Sequence, residues 1–356
     1  MLLSIKENMK KLLSKFRKPE EVQPPSRITS ETVAHHRERI LAGGRRFKYP
    51  IQYARHKLVI NAIIISVVAL TVVLVVGWWQ LYPAQNTSEF MYRITKVLPL
   101  PVATVDGQSV PYSDYLMKYL SSVHYLEKKE QVNLKTDDGK RQIEYIKQES
   151  IKDAIADAYA QKMAKSLNVS VSASDIEASL KIQRQSSSGE ISEQTYDAVN
   201  LDYYGWSPSE YRHVTEQKLL RQKVSYAMDK DALTASNNIA KTLKDDAATD
   251  MKALAVSLSG QSKTKVEYGA SGLVPKTNQD GGLAAEAAKL AKGQISLSFK
   301  STSGDGYYFV KLLDANDTQV SYEYIKVSLT AFTNALNDVI SGGKVHKYIS
   351  IPDSTK

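Results

Sequence analysis

The sequence predicts an α+β protein on a single N-terminal transmembrane helix, with a mainly helical body followed by a smaller α+β part. Three observations carry this reading. Residues 58–79 read LVINAIIISVVALTVVLVVGWW, 22 residues without a charge. The whole net charge of +9 lies before that run: residues 1–57 hold 14 Lys/Arg against 5 Asp/Glu, and the remainder holds 33 of each. Beyond the run, apolar residues recur at helical spacing, interrupted by short segments of period two.

At helical rise the uncharged run reaches about 33 Å, enough for a hydrocarbon core of about 30 Å. Its polar members Asn61, Ser66 and Thr71 can each be satisfied within or beside a helix. Arg45, Arg46, Lys48, Arg55 and Lys57 precede it, and Trp78, Trp79 and Tyr82 follow as an aromatic belt. The positive-inside rule then places residues 1–57 in the cytoplasm and 84–356 outside. A cleaved signal peptide fits less well, because the leader and the apolar run are long and no A-x-A site follows. A buried core helix fits less well too, because the apolar character goes all the way round.

With 356 residues there is room for two to three domains. At 42% hydrophobic and 24% charged, the chain is neither disordered overall nor a multi-span membrane protein. The absence of Cys excludes a disulfide scaffold, a thiol nucleophile and Cys-ligated zinc or iron–sulfur sites. A neutral body behind a basic tail argues against nucleic acid as a partner.

The tail opens MLLSIKENMKKLLSKFRK, with Leu2, Ile5, Met9, Leu12, Leu13 and Phe16 at helical spacing among lysines. It reads either as a basic amphipathic helix on an anionic leaflet or as an unstructured basic segment that helps set topology. Pro19, Pro24 and Pro25 end it. The adjacent His35 and His36 read as a solvated pair.

Outside the membrane, 81–100 reads as a linker. VATVDGQSV at 102–110 reads as a short hairpin turning at Asp106-Gly107. Ser113 can cap a helix through about Glu130. The stretch 140–167 is a helix with Ile143, Ile146, Ile151, Ile155, Tyr159 and Met163 on one stripe. A further helix covers 174–185, and SSSG at 186–189 is a loop. Ser207-Pro208-Ser209-Glu210 is a helix start with a capping box and Pro at the first position. The helix it opens runs to about Met228, with Tyr211, Val214, Leu219 and Val224 placed for packing. VSYEYIKVSL at 320–329 alternates like a strand. The stretch from 330 reads as a helix ended by Gly342-Gly343, then a short strand.

The VATVDGQSV strand pair, the helices after it and YYGWSPSEYRHVTEQKLLRQKV together resemble the helical chaperone domain of the SurA/PrsA/PpiD family of extracytoplasmic foldases. The likeness covers about 100–230 and implies helices that cradle unfolded segments of exported clients. Residues 237–329 resemble the family's other module, a parvulin-type prolyl isomerase domain. NNIAKTLKDDAATDMKALAVSLS is similar to its first helix and following turn, with Met251 in the aromatic position. SKTKVEYGASGLV is similar to its glycine-bearing strand, with Gly269 and Gly272 kept. LAAEAAKLAKGQISLSF and GDGYYFVKLLD follow in order, the latter with Gly306, Tyr307 and Asp314 matching.

Such a site needs an apolar pocket for the proline ring and polar groups that favour the twisted amide over a barrier of about 18–20 kcal/mol. The chain departs from the pattern there. The family's strand histidine falls on Tyr308, its Cys or Asp position on Ser259, and its apolar pocket positions on Gln279 and Leu283. The H-I-L strand before the first helix is missing, since only DKDALTAS precedes Asn237. The strand at 320–329 is the candidate to take its place in the sheet. The degenerate prolyl pocket therefore rests on Met251, Ser259, Leu283 and Tyr308, with weak or absent isomerase activity expected.

No H-E-x-x-H, G-x-S-x-G, P-loop or G-x-G-x-x-G motif occurs. His124, His213 and His346 are isolated in sequence, and neither a metal nor an organic cofactor is expected. The reading is then a tail at 1–57, a transmembrane helix at 58–80, a linker at 81–100, a chaperone domain at 101–235, a degenerate parvulin-like domain at 236–330, and a helix and strand at 331–356 closing onto the body. The expected role is a single-pass bacterial membrane chaperone that binds unfolded or nascent exported polypeptides in an apolar cleft around 113–228, near the translocon. An active prolyl isomerase and a non-catalytic envelope or translocon scaffold are the alternatives.

Overall fold

Helices come first. The structure, a computed structural model, describes residues 29–48, 50–186, 189–245, 250–259 and 264–351. The basic stretch at 2–16 lies outside them, as do parts of the 186–189 loop and of the turn after Met251's helix. Contacts divide the chain into two units between Gly77 and Trp78.

The first unit holds α1 (Ser30–Lys48) and most of α2 (Pro50–Leu81). Within α2, His56–Leu81 has the length and composition to cross a membrane and is the one such helix among the described residues. Its side chains from Leu58 to Val76 are exposed all round. Thr71 donates its hydroxyl to the Val67 carbonyl at 2.9 Å, so the polar group is satisfied within the helix.

The second unit begins with the end of α2 and α3 (Glu89–Val97), then the hairpin of β1 (Pro101–Val105) and β2 (Gln108–Pro111). Asp106 and Gly107 both have positive φ, +45° and +83°, as the two-residue hairpin turn that matches strand twist requires. There follow α4 (Tyr112–Lys128), α5 (Asp137–Leu167), α6 (Ala173–Gln183), the minimal ribbon β3 (Gln185–Ser186) and β4 (Gly189–Glu190), α7 (Glu193–Tyr204) and α8 (Pro208–Met228). The hairpin, α4, α5 and α8 share one core, built on Val102, Val105, Tyr115, Leu116, Ile151 and Val224.

The stretch 81–100 is not a linker. Leu81 is buried in this core, Tyr112 donates its hydroxyl to the Leu81 carbonyl at 2.7 Å, and Tyr82 donates to that of Pro101 at 2.8 Å. Ser88 caps α3, which buries Met91, Tyr92 and Thr95. A short helix with one narrow buried face gives little periodic signal, and the flanking Pro and Asn residues suggest a loop instead.

The capping box at Ser207 forms through its Glu210 half, the Ser207 N–H donating to Glu210 Oε2 at 2.8 Å. Glu210 also accepts from Tyr92 (2.6 Å) and Lys96 (3.2 Å), which ties α3 to α8. Burial opposes ionisation of Glu210, but these three donors outweigh it and hold the carboxyl at about 2.

The remaining elements are α9 (Lys230–Asp245), α10 (Met251–Ser259), β5 (Val266–Ala270), β6 (Val274–Pro275), α11 (Leu283–Ala287), β7 (Phe299–Lys300), β8 (Gly306–Ala315), β9 (Gln319–Ser328), α12 (Ala331–Ser341) and β10 (Val345–Lys347). The sheet runs β5-β9-β8-β7, with β6 also on β9, all antiparallel. β9 lies between β5 and β8. The residues 230–236 that precede Asn237 are helical, part of α9, so no strand comes before it. The two sheet faces are covered separately. Tyr307, Phe309, Ile325 and Val327 meet α9 and α10, while Tyr308, Val310, Leu312 and Tyr322 meet α11.

After this sheet the chain returns to the first core. Phe332 of α12 packs on Tyr159, centroids 5.6 Å apart, and β10 pairs with β1 to complete the sheet β10-β1-β2. A single carboxylate sets up this return. Asp229 ends α8, its Oδ1 accepts from the Ala232 N–H at 2.9 Å to cap α9, and its Oδ2 accepts from the Thr330 and Ala331 N–H groups at 2.7 and 3.0 Å to cap α12. Thr330 makes no side-chain cap of its own.

Asp229→Ala is expected to cost about 2–4 kcal/mol, two helix caps at once. Asp229→Asn keeps a single acceptor oxygen and is expected to lose roughly half as much. Urea denaturation of the solubilised chain measures both, and equal losses for the two variants would contradict the double cap.

Candidate functional site

The prolyl-pocket candidates do not gather. Met251 is fully buried on the face covered by α9 and α10, whereas Leu283 and Tyr308 are buried on the other face, under α11. Side chains alternate along β8, so Tyr307 and Phe309 point to Met251's side and Tyr308 points away. The Tyr308 hydroxyl donates to Asp305 Oδ2 at 2.8 Å, which also accepts from Lys326 at 2.5 Å. Burial and then this bond to Asp305 push the Tyr308 phenol up. Its ring packs between Phe299 and Tyr324. Ser259 is exposed at the end of α10, donating to the Val256 carbonyl, and Gln279 is exposed in a loop. Among the described residues no three His, Asp or Glu side chains come together as a metal site.

The concave surface lies elsewhere, along α4, α5 and α8. A hollow of about 630 Å³ is bordered by Tyr125, Tyr145, Ile146, Tyr204, Trp206 and Val214, among others. A second, of about 500 Å³, shares Lys118, Asp153 and Val214 with it and continues to Phe332 and Leu336 of α12. Together they form a trough that runs from the end of α7 to α12.

Its aromatic end is made by a local turn. Gly205 ends α7 in the left-handed region at φ +69°, a conformation that favours glycine. A Cβ there would also lie 3.3 Å from the ring of His124. The turn sets Tyr204 and Trp206 face to face at 4.9 Å, with Tyr125 stacked on Tyr204 at 6.5 Å and Tyr211 beyond Trp206. Tyr145 stands 62% exposed at the edge, and Tyr203 and Tyr204 are partly exposed. The Trp206 indole N–H is buried and has no acceptor among the described residues.

The middle of the trough is charged and mostly paired. Lys118 Nζ lies 2.8 Å from Asp157 and 3.2 Å from Asp153, and Arg221 lies 2.9 Å from Asp153 and 3.4 Å from Asp157. Burial works against the Lys118 charge, yet the two carboxylates outweigh it and raise its pKa. Burial likewise opposes the Asp153 charge, and Lys118 and Arg221 overcome it and lower its pKa. Lys118 and Arg221 are thus paired with Asp153 and Asp157, while Lys218 of α8 also lines the second hollow and leaves the floor one positive charge in excess.

Beside the trough, His213 on α8 meets the buried Asp114 of α4 at 3.0 Å, and Gln217 donates to the other Asp114 oxygen at 2.7 Å. The Asp114 bond raises the His213 pKa against burial, with Glu216 adding to it and Lys118 opposing.

Sequence reasoning pointed to a cleft in this helical region but missed its lining. The available signal was the cluster Tyr203-Tyr204-Gly205-Trp206, three aromatic residues around a helix-ending glycine. Helix α7 itself went unseen, because Asn200 is its one buried member and no apolar stripe marks it.

Two comparisons bear on the chain. Residues 51–225 match the family model of the SurA-like N-terminal domain. No curated protein matches the chain. The matched segment contains the hairpin, α3 to α7, most of α8 and the whole aromatic end of the trough.

Because the His213 pKa is raised in the fold, its contribution to stability is fully present below about 6.5, the unfolded value, and is lost as pH rises through the folded value. Cooling-free denaturant titrations at about pH 6 and about pH 8 should show the wild-type chain gaining stability at the lower pH relative to His213→Gln. An identical pH response in the two proteins would remove the His213–Asp114 pair as its source.

Proposed function

We propose, for a chain that carries a SurA-like N-terminal domain and so the domain of a chaperone-type foldase family, that the trough along α4, α5 and α8 binds unfolded segments of exported proteins. The observation that carries this is the open, aromatic-lined hollow around Tyr125, Tyr145, Tyr204 and Trp206. Rigid aromatic side chains offer large contact areas at small entropic cost and accept many partner shapes. The ion pairs of the floor are satisfied among themselves, and the added Lys218 gives a slight preference for acidic segments. The orphan Trp206 N–H is a donor that a client's backbone carbonyl would satisfy after a small local opening.

The proposal extends to location and chemistry. Residues 56–81 anchor the body in the membrane, with the basic N-terminal region in the cytoplasm and the body outside, where clients emerge from the translocon. The α+β region is read as a degenerate parvulin-like module that lacks the strand before its first helix, and its isomerase activity is weak or absent. What supports that last point is the separation of Met251 from Leu283 and Tyr308 by the sheet.

In the full chain, Tyr145→Ser with Tyr204→Ser should weaken binding of an unfolded model client about tenfold, about 1.4 kcal/mol, while the far-UV spectrum and melting stay close to wild type. Unchanged affinity would move the client site away from this hollow. The same preparation should leave the isomerisation rate of X–Pro peptides at its uncatalysed value of tens to hundreds of seconds. Acceleration that Tyr308→Phe abolishes would instead establish the isomerase.

A further inference from the structure

Helix α3 presents an apolar crest where a surface helix normally carries charge. At about 100° per residue, its buried residues Met91, Tyr92 and Thr95 share one side. Phe90 and Val97 lie on the opposite side, 66% and 80% exposed, with Leu98 exposed just beyond. Glu89, Arg93 and Lys96 occupy one flank. They are already paired, Arg93 with Glu89 and Lys96 with Glu210, so the face offers apolar surface without net charge.

The position of α3 in the chain identifies what meets this crest. Only residues 82–88 separate it from α2, a reach of at most about 25 Å. The end of α2 is fixed to the same body: Leu81 is in the core, its carbonyl accepts from Tyr112, and Asn86 donates to Gln80 through both its backbone (2.9 Å) and its side chain (3.0 Å). Trp78 and Trp79 of that last turn are exposed, as residues of a membrane–water interface would be.

We propose that α3 is an interfacial helix, its Phe90–Val97 crest inserted in the headgroup and acyl boundary of the bilayer that α2 crosses, so that the body is seated on the membrane rather than held off it. This rests on the membrane-anchor reading of α2. A crest of this kind enters roughly 5–10 Å into the boundary region. With its charges paired internally, docking depends on apolar burial and little on salt or on anionic lipid.

The test uses the full chain in phosphatidylcholine vesicles. Because the chain has no Cys, single cysteines placed by Phe90→Cys, Val97→Cys, Val68→Cys and Asp138→Cys can each carry one environment-sensitive fluorophore. Lipids with a nitroxide near the headgroup should quench and blue-shift the labels at 90 and 97, at low and high salt alike, and leave the label at 138 bright. Lipids with a deep nitroxide should quench the label at 68. Bright labels at 90 and 97 beside a quenched 68 would overturn the interfacial helix and leave the anchor standing. A bright 68 with quenched 90 and 97 would keep the interfacial helix and overturn the anchor. Quenching at 138 equal to that at 90 would overturn the assignment to α3. Phe90 and Val97 are exposed and lie outside the buried core, so misfolding does not confuse these outcomes.

Discussion

The Asp229 carboxylate stands at the point where α8 ends and where α9 and α12 both begin. Helix starts leave unsatisfied N–H groups that must find acceptors, and here one buried side chain serves two of them with its two oxygens. The consequence reaches the trough. α12 supplies its far wall through Phe332 and Leu336, and α8 supplies its near wall through Val214 and Arg221. The loop that leads into β8 is held to α8 as well, since Gln222 donates to the Thr302 carbonyl at 3.0 Å and Tyr226 donates to that of Gly306 at 2.6 Å. The α+β region therefore acts as a bracket: the chain leaves the helical core at Asp229, forms the sheet, and is brought back to the same residue.

The parts of this arrangement that were legible in the sequence are those with local causes. The Asp106-Gly107 hairpin, the Ser207–Glu210 helix start, the uncharged run and the helix ended by Gly342-Gly343 each depend on a few adjacent residues. What was not legible depends on partners far away in the chain. α3 is stable because Tyr92 and Lys96 reach Glu210, more than a hundred residues on. The trough's lining is assembled from five helices, and no single stretch of sequence contains it. Asp229 reads in sequence as an ordinary helix-end residue, since its role at α12 involves a contact across a hundred positions.

The prolyl-pocket candidates illustrate a different gap. Motif order placed Met251, Leu283 and Tyr308 in one list, but a sheet covered on both faces sorts its neighbours by odd and even positions. Gly269 makes the same point. It stands directly across from Tyr324, and a Cβ there would crowd the end of the tyrosine ring, so packing accounts for glycine at this position. Tyr308, with its hydroxyl on Asp305 and its ring between Phe299 and Tyr324, is likewise accounted for by the core under α11.

A holding site for unfolded chains must bind weakly enough to release and often enough to protect. An open trough with one aromatic end supplies a few contacts per client and few directional bonds, which favours fast exchange over tight capture. Under the proposed membrane anchoring, confinement would offset this, because a client held close to the body rebinds it at a raised effective concentration. The floor fits the same weak binding: Lys118 and Arg221 are engaged with Asp153 and Asp157, which leaves Lys218 as the charge there that a client meets. On this reading the breadth of clients follows from aromatic surface, and the rate of release follows from how little else the trough provides.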